Sequence, residues 1–142
     1  MSDFNHDLID ELRSNGGQAT SGPFVGRQMI ILTTTGARSG SRQSTPLVYS
    51  RDGDRYVIVA SMGGAPKHPA WFHNLKADPR VTAEVGGETF EATATITDET
   101  ERQRLYAQHA ELHPSFNDYP KLTERVIPVV VLERTGAAEA AA

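Results

Sequence analysis

The chain has no cysteine. Disulfides, thiolate metal sites and cysteine nucleophiles are therefore excluded. No apolar run approaches the ~18 residues that a membrane-spanning helix needs. Positive charge is in deficit: 14 Lys and Arg stand against 18 Asp and Glu, a formal net charge of −4. That balance argues against a general nucleic-acid binder but leaves room for a local basic site. The histidines, His6, His68, His73, His109 and His113, form no HExxH pattern. His109 and His113 are four apart, but Pro114 follows at once, so no metal site is expected. No G-x-S-x-G nucleophile elbow occurs, and nothing points to a Ser-His hydrolase. The lack of cysteine, together with the lack of a signal-peptide pattern, suggests a cytoplasmic protein.

What remains is one domain's worth of chain, 142 residues with 38% hydrophobic and 23% charged side chains, enough for a single packed core. Residues Phe4 to Arg13 place Phe4, Leu8, Ile9 and Leu12 at helical spacing, with Asp3 or Asn5 as cap. The simplest reading is a short helix packed on the domain. The alternatives are an N-terminal lid or a peripheral membrane contact through Phe4 and Leu8, though its mostly acidic charges disfavour anionic lipid. Strand patterns follow at Met29 to Thr35, Ser44 to Ser50 and Tyr56 to Ser61, the last two separated by an Asp-Gly turn. A short helix spans "AWFHNLKADP". Val81 to Val85 and Thr89 to Thr97 form a hairpin around Gly86-Gly87. A helix capped by Thr97 or Asp98 precedes a last strand at Val126 to Arg134, where Pro128 suggests an edge or a bulge. Short hairpin connections imply a mainly antiparallel sheet, and six strands with flanking helices favour a small α+β barrel. The expected division is an N-terminal helix and linker over 1–21, the barrel over 22–135 and a frayed tail over 136–142.

Three segments carry chemistry. The first, "LTTTGARSGSRQSTPL" from Leu32 to Leu47, sets two arginines and several hydroxyls between two strands around Gly36 and Gly40. Arginine forks and exposed N–H groups suit phosphate or carboxylate. The Gly-Lys-Ser/Thr ending of a P-loop is missing, and a solvated hairpin tip has the same composition. The second, "SMGGAPKHPAW" from Ser61 to Trp71, follows a buried strand and puts Lys67 and His68 before a helix. The third, "ELHPSFNDYPKL", repeats His113, Phe116 and Tyr119 every three residues, as the wall of an apolar pocket or as ordinary core.

Taken in order and at their spacing, the G-x-x-S-G loop, the S-x-G-G-x-x-x-x-P-x-W segment, the N-L-x-A-x-P ending and "PSFNDYPKLTERVIPVVVLER" resemble the deazaflavin-dependent nitroreductase family over residues 24 to 134. The resemblance implies a split β-barrel like that of flavin-reductase-type FMN proteins. It also implies coenzyme F-420, an 8-hydroxy-5-deazaflavin with a phosphate and a poly-glutamate tail. By resemblance, Arg38, Ser39 and the Arg42–Gln43 pair hold the anionic tail. Thr45, Pro46 and Val48 line the deazaflavin, and Ala60, Ser61, Met62 and Gly63 touch it from the next strand end. Trp71, Phe72 and Asn74 close the site. His113, Phe116 and Tyr119 shape the substrate pocket. Three positions depart from the family pattern: Met62 and Ala37 stand where cations are frequent, and Gln43 stands where the loop arginine falls.

The activity so implied is hydride transfer from the reduced deazaflavin to a quinone, an activated enone or a nitroaromatic. Tyr119 or Ser61 would stabilise a developing oxyanion, and solvent would supply the proton. Two alternatives share the fold: an FMN-dependent reductase, and a non-catalytic deazaflavin-binding protein. The sequence does not speak to the oligomeric state.

Overall fold

The structure, a computed structural model, describes the backbone of residues 2–20 and 24–137 and the side chains of residues 6–20 and 24–135. The elements run α1 (Ser2–Ser14), β1 (Met29–Thr35), β2 (Arg42–Val48), β3 (Ser50–Asp52), β4 (Arg55–Val59), α2 (Ala70–Ala77), β5 (Arg80–Val85), β6 (Glu88–Ile96), α3 (Glu99–Leu112) and β7 (Val129–Ala137). Short 3-10 turns cover Met62–Gly64, Pro114–Asn117 and Tyr119–Lys121.

The seven strands form one antiparallel sheet in the order β2-β1-β5-β6-β7-β4-β3. Its two outermost strands, β2 and β3, are joined by Tyr49 alone. A connection one residue long forces the edges together, so the sheet curls into a barrel. Side-chain alternation then sorts the residues. Ile30, Leu32, Ile58, Val81, Ala83, Phe90, Ala92, Val130 and Leu132 point inward and pack with Trp71, Phe72 and Leu75 of α2. The outward set of β4 and β7, Val57, Val59, Val129 and Val131, is covered by Leu105 and Ala110 of α3 and by Phe116. β4 and β7 are thus apolar on both faces.

The outward residues of β1, Met29 and Ile31, are covered by Leu8, Ile9 and Leu12 of α1. Arg13 locks the helix in place with two hydrogen bonds to the Glu84 carboxylate, at 2.9 and 2.8 Å. α1 is therefore a packed helix on the outer wall. Leu8 is buried there and offers no apolar surface to a membrane; the Phe4 side chain lies outside the described residues. Among the described residues no helix is long and apolar enough to cross a membrane.

Several boundaries differ from the sequence expectation. There are seven strands, because the single span Ser44 to Ser50 breaks at Tyr49 where the chain passes from one sheet edge to the other. α1 begins at Ser2, so Asp3 and Asn5 stand inside it. Asp98, not Thr97, caps α3, its carboxylate accepting the Glu101 N–H at 2.9 Å. Pro128 marks no edge: β7 is interior, between β6 and β4. The proline sits just before the strand, where its carbonyl accepts the Ala60 N–H and no N–H is required of it. β7 continues through Ala137 by pairing with β6 across a bulge at Glu91/Ala92. The rest of the expected tail, 138–142, lies outside the described residues.

Candidate active site

A cavity of about 670 Å³ opens on the outside of the barrel. Five pieces of chain build it. β2 contributes Thr45 to Val48, and the end of β4 with the following turn contributes Val59 and Ser61 to Gly63. The start of α2 contributes Pro69 to Trp71, and the segment after α3 contributes His113, Ser115, Phe116 and Tyr119. Phe24 and Arg27, from the stretch before β1, complete the wall. Among the described residues no carboxylate lines it. An apolar cavity with a few hydroxyls and one arginine suits a flat aromatic ligand with oxygen substituents.

The turn at Ser61–Gly64 is held in an unusual shape. Met62 has φ of 48°, a left-handed conformation that non-glycine residues rarely adopt. Gly64 has φ of 83°, and a Cβ there would meet the Leu122 Cβ at 2.9 Å. Arg125 pins this turn from below. Its guanidinium donates to the Ser61 carbonyl at 2.7 Å, to the Ala65 carbonyl at 2.8 Å and to His68 Nδ1 at 2.9 Å. Burial, reinforced by the Arg125 charge, holds His68 below the usual histidine range.

His113 is buried with both nitrogens engaged. The Tyr49 carbonyl lies 2.9 Å from Nε2, so Nε2 carries the proton and donates. Nδ1 is then the acceptor facing Arg27, at 3.4 Å. Burial lowers the His113 pKa, the Tyr49 hydrogen bond opposes that, and the Arg27 charge adds to it. Phe116 is the hub of an aromatic cluster, with ring centroids 4.5 Å from His109 and 4.9 Å from Tyr119. The Tyr106 hydroxyl donates to the Phe116 carbonyl at 2.7 Å. Tyr119 is half-exposed at the cavity wall, its hydroxyl 3.4 Å from Ser115 Oγ. Phe116 thus serves the core and the wall together. No group of three His, Cys, Asp or Glu among the described residues could hold a metal ion.

Of the residues expected to bind cofactor, Thr45, Pro46, Val48, Ser61, Met62, Gly63 and Trp71 line the cavity, as do His113, Phe116 and Tyr119. Ala60 and Phe72 stand behind the wall in the barrel core, on the inward side of their elements. Asn74 is buried and holds the β1–β2 loop: its Oδ1 accepts the Ala37 N–H at 3.0 Å, and its Nδ2 donates to Thr34 and Gln43. Arg38, Ser39, Arg42 and Gln43 lie at the opposite end of β2 from Arg27. β1 and β2 pair from Met29↔Val48 to Thr35↔Arg42, a length of about 20 Å. Arg42 reaches the Thr35 and Thr82 hydroxyls on the outer face of the sheet. Arg38 is exposed and makes no hydrogen bond or ion pair with a described residue. Gly36 fits where any Cβ would come within 2.6 Å of Ser39 Oγ, so the loop is tightly folded with its arginine uncommitted.

Comparison with known proteins decides the family. The sequence profile described as F420H(2)-dependent quinone reductase matches residues 7–134. The chain belongs to this family. It is 44% identical over 108 residues to an F420H(2)-dependent quinone reductase of Mycobacterium tuberculosis, covering 74% of this chain and 72% of that protein. A solved F420-H2 dependent reductase superposes with a TM-score of 0.70 at 37% identity, covering 75% of this chain and 95% of the other. A chain described as a domain-swapped dimer gives a TM-score of 0.71 at 33% identity, over 90% and 93% of the two chains. The fold is the α+β split barrel of this family, and the family's cofactor is coenzyme F-420.

The residues present fit such a cofactor. The cavity's size and its apolar wall of β2 residues and Trp71 suit a planar ring system. The uncommitted Arg38 and the serines of the β1–β2 loop are suited to an anionic tail beyond it. Sequence reasoning missed Phe24, Arg27, Leu47, Val59, Pro69, Ala70 and Ser115 of the wall, and Arg125 beneath it. Val59 had a signal, because β4 alternation puts it on the same face as Val57. Arg27 and Arg125 had none, since each lies in irregular chain.

Proposed function

We propose that this protein is an F420H(2)-dependent quinone reductase whose reaction takes place in the cavity between β2, the Ser61–Gly64 turn and the His113–Tyr119 segment. The observation that carries this reading is that one cavity is lined by all three of those segments and by Trp71, in a chain of this family. The reduced deazaflavin, when bound, supplies a hydride.

The chain's own residues do the rest. Thr45 to Val48 and Trp71 form an apolar bed that orients the ring and displaces water from one side. The rigid turn at Ser61–Gly63 presents backbone and the Ser61 hydroxyl to the ring edge. Arg38 and Ser39, with Gln43, meet the anionic tail at the far end of β2. Arg42 joins them only by leaving the hydroxyls of Thr35 and Thr82, so Arg38 carries more of the charge recognition. The acceptor lies against Phe116 and Tyr119, and the Tyr119 hydroxyl, with that of Ser61, donates toward an oxygen on which charge develops. Among the described residues of the wall there is no carboxylate to donate, and the completing proton comes from solvent at the mouth. Quinones are the acceptors named for the family; activated enones and nitroaromatics share the two-electron demand.

Fluorescence titration with oxidised coenzyme F-420, and in parallel with FMN, tests this reading. Selective binding of the deazaflavin is expected. Arg38→Ala is expected to weaken it about tenfold, and to do less when the poly-glutamate tail has been trimmed. Binding of FMN with no binding of the deazaflavin would assign the site to a flavin reductase. Deazaflavin binding without turnover of any quinone would assign it to a carrier.

A further inference from the structure

Arg27 stands out among the cavity residues because no described residue gives it a counter-charge. Among the described residues its guanidinium has one neighbour, His113 Nδ1 at 3.4 Å, and no carboxylate lines the cavity. A half-buried guanidinium normally finds an anion, because it presents five donors in a rigid fork. His113 cannot serve as one. Its Nε2 donates to the Tyr49 carbonyl, and its Nδ1 faces the Arg27 guanidinium, which can only donate, so the contact is made by the neutral ring presenting a lone pair to Arg27. That contact steers the guanidinium along the cavity wall and leaves most of its donors unused.

The place of Arg27 narrows what it meets. It lies two residues before β1, beside the Val48 end of β2, whereas the anion-binding loop with Arg38 lies beyond the Arg42 end. A strand of about 20 Å separates them. The cation is therefore not part of the tail clamp, and it shares the end of the cavity where His113 and Phe116 stand.

We infer that Arg27 is the ligand of the acceptor's oxygen, placed to take up the negative charge that a quinone-class acceptor gains with the hydride. This rests on the reading proposed above. In the step, a C–H bond of the reduced cofactor breaks and its electron pair and hydrogen form an O–H bond at one quinone oxygen. The π electrons shift through the ring onto the other carbonyl oxygen, giving a hydroquinone monoanion, while the cofactor is oxidised by two electrons and releases a proton to solvent. Arg27 holds that phenolate oxygen until solvent delivers the one proton that completes the hydroquinone. Cationic stabilisation of charge that develops during reaction raises kcat, not only affinity.

The test uses 4-nitrophenol, a phenol whose anion absorbs in the visible, added to the purified protein without cofactor. Wild type is expected to bind the phenolate form and to lower the apparent pKa of the bound phenol. Arg27→Met is expected to weaken phenolate binding about tenfold and to abolish the pKa change, with Arg27→Lys recovering part of both. With cofactor and quinone, kcat/KM is expected to fall about 10- to 100-fold in Arg27→Met while coenzyme F-420 affinity stays unchanged. Equal phenolate binding by wild type and Arg27→Met would overturn the inference. So would a loss of coenzyme F-420 affinity that accounts for the whole loss of rate, which would assign Arg27 to the cofactor. If Arg27→Met fails to fold, Arg27→Lys carries the comparison: full wild-type phenolate affinity and rate in that variant would leave no role for the guanidinium fork. Absence of F-420 binding or quinone turnover in wild type would sink the proposed function instead. The phenolate titration needs neither, and separates the two failures.

Discussion

His109 sits fully buried at the end of α3, with Nδ1 2.8 Å from the Ser50 hydroxyl and no partner for Nε2 among the described residues. Burial, with the neighbouring His113 adding to it, pushes its pKa down from 6.5 to about 3. At neutral pH the ring is neutral in both the folded and the unfolded chain and contributes nothing pH-dependent. Below pH ~6.5 the unfolded chain takes up a proton that the folded chain refuses until about pH 3. Stability therefore falls as pH is lowered through that window, by up to ~1.4 kcal/mol per pH unit from this group alone. His113 is shifted in the same direction. The prediction is checked by urea unfolding near pH 7 and near pH 5, above the range where the ion-paired carboxylates titrate. His109→Asn, which keeps a polar atom for Ser50, should shrink the stability difference between the two pH values. An unchanged difference would mean that the imidazole is solvated.

Among the elements, the Ser61–Gly64 turn depends most on a residue distant in sequence. Its own hydrogen bonds are few: Gly64 N–H to the Ser61 carbonyl at 2.9 Å and Ala65 N–H to the Met62 carbonyl at 3.1 Å. The left-handed Met62 costs energy, and the Arg125 guanidinium offsets that cost by bridging Ser61, Ala65 and His68. Arg125→Ala should free the turn. Faster amide exchange is expected at Gly64 and Ala65, with deazaflavin affinity reduced about tenfold and most other amides unaffected. Exchange rates equal to wild type would show that the packing of Gly64 against Leu122 is enough to hold the turn.

For the molecule as a whole, the outer helices act as the skin of a barrel over the strands that are apolar outward: α3 over β4 and β7, and α1 over Met29 and Ile31 of β1. Leu12 is 1% exposed and packs in the α1 cluster with Met29 and Ile31. Leu12→Ala should cost ~2–4 kcal/mol, seen as a melting temperature lower by roughly 10 °C. Phe24 and Val48 border both that cluster and the cavity, but none of the described side chains of α1 lines the cavity itself. Turnover of soluble quinone analogues well below the melting temperature should therefore survive the substitution. A selective loss of turnover in a folded protein would favour a lid function for the helix after all.

Local order decided much of this protein. Short apolar, β-branched runs in "MIILTTT", "YVIVA" and "VVVLER" specified strands, the Asp-Gly pair specified a turn, and acidic residues behind Asp98 specified the start of α3, because each feature depends only on neighbours within a few residues. The two glycine- and donor-rich loops were legible as candidate anion sites in the same way, but their composition also fits a solvated hairpin tip, and only the resemblance to the family pointed them at a cofactor. Only the tertiary structure decided that β2 and β3 close a barrel across Tyr49, that Asn74 and Gln43 hold a loop instead of facing the cavity, and that Arg42 lies over the outer sheet. It alone brought Arg27 to His113, 86 residues away, and Arg125 beneath Ser61. Such meetings are set by strand register and sheet curvature, which sum over the whole chain, and no short window of sequence contains them.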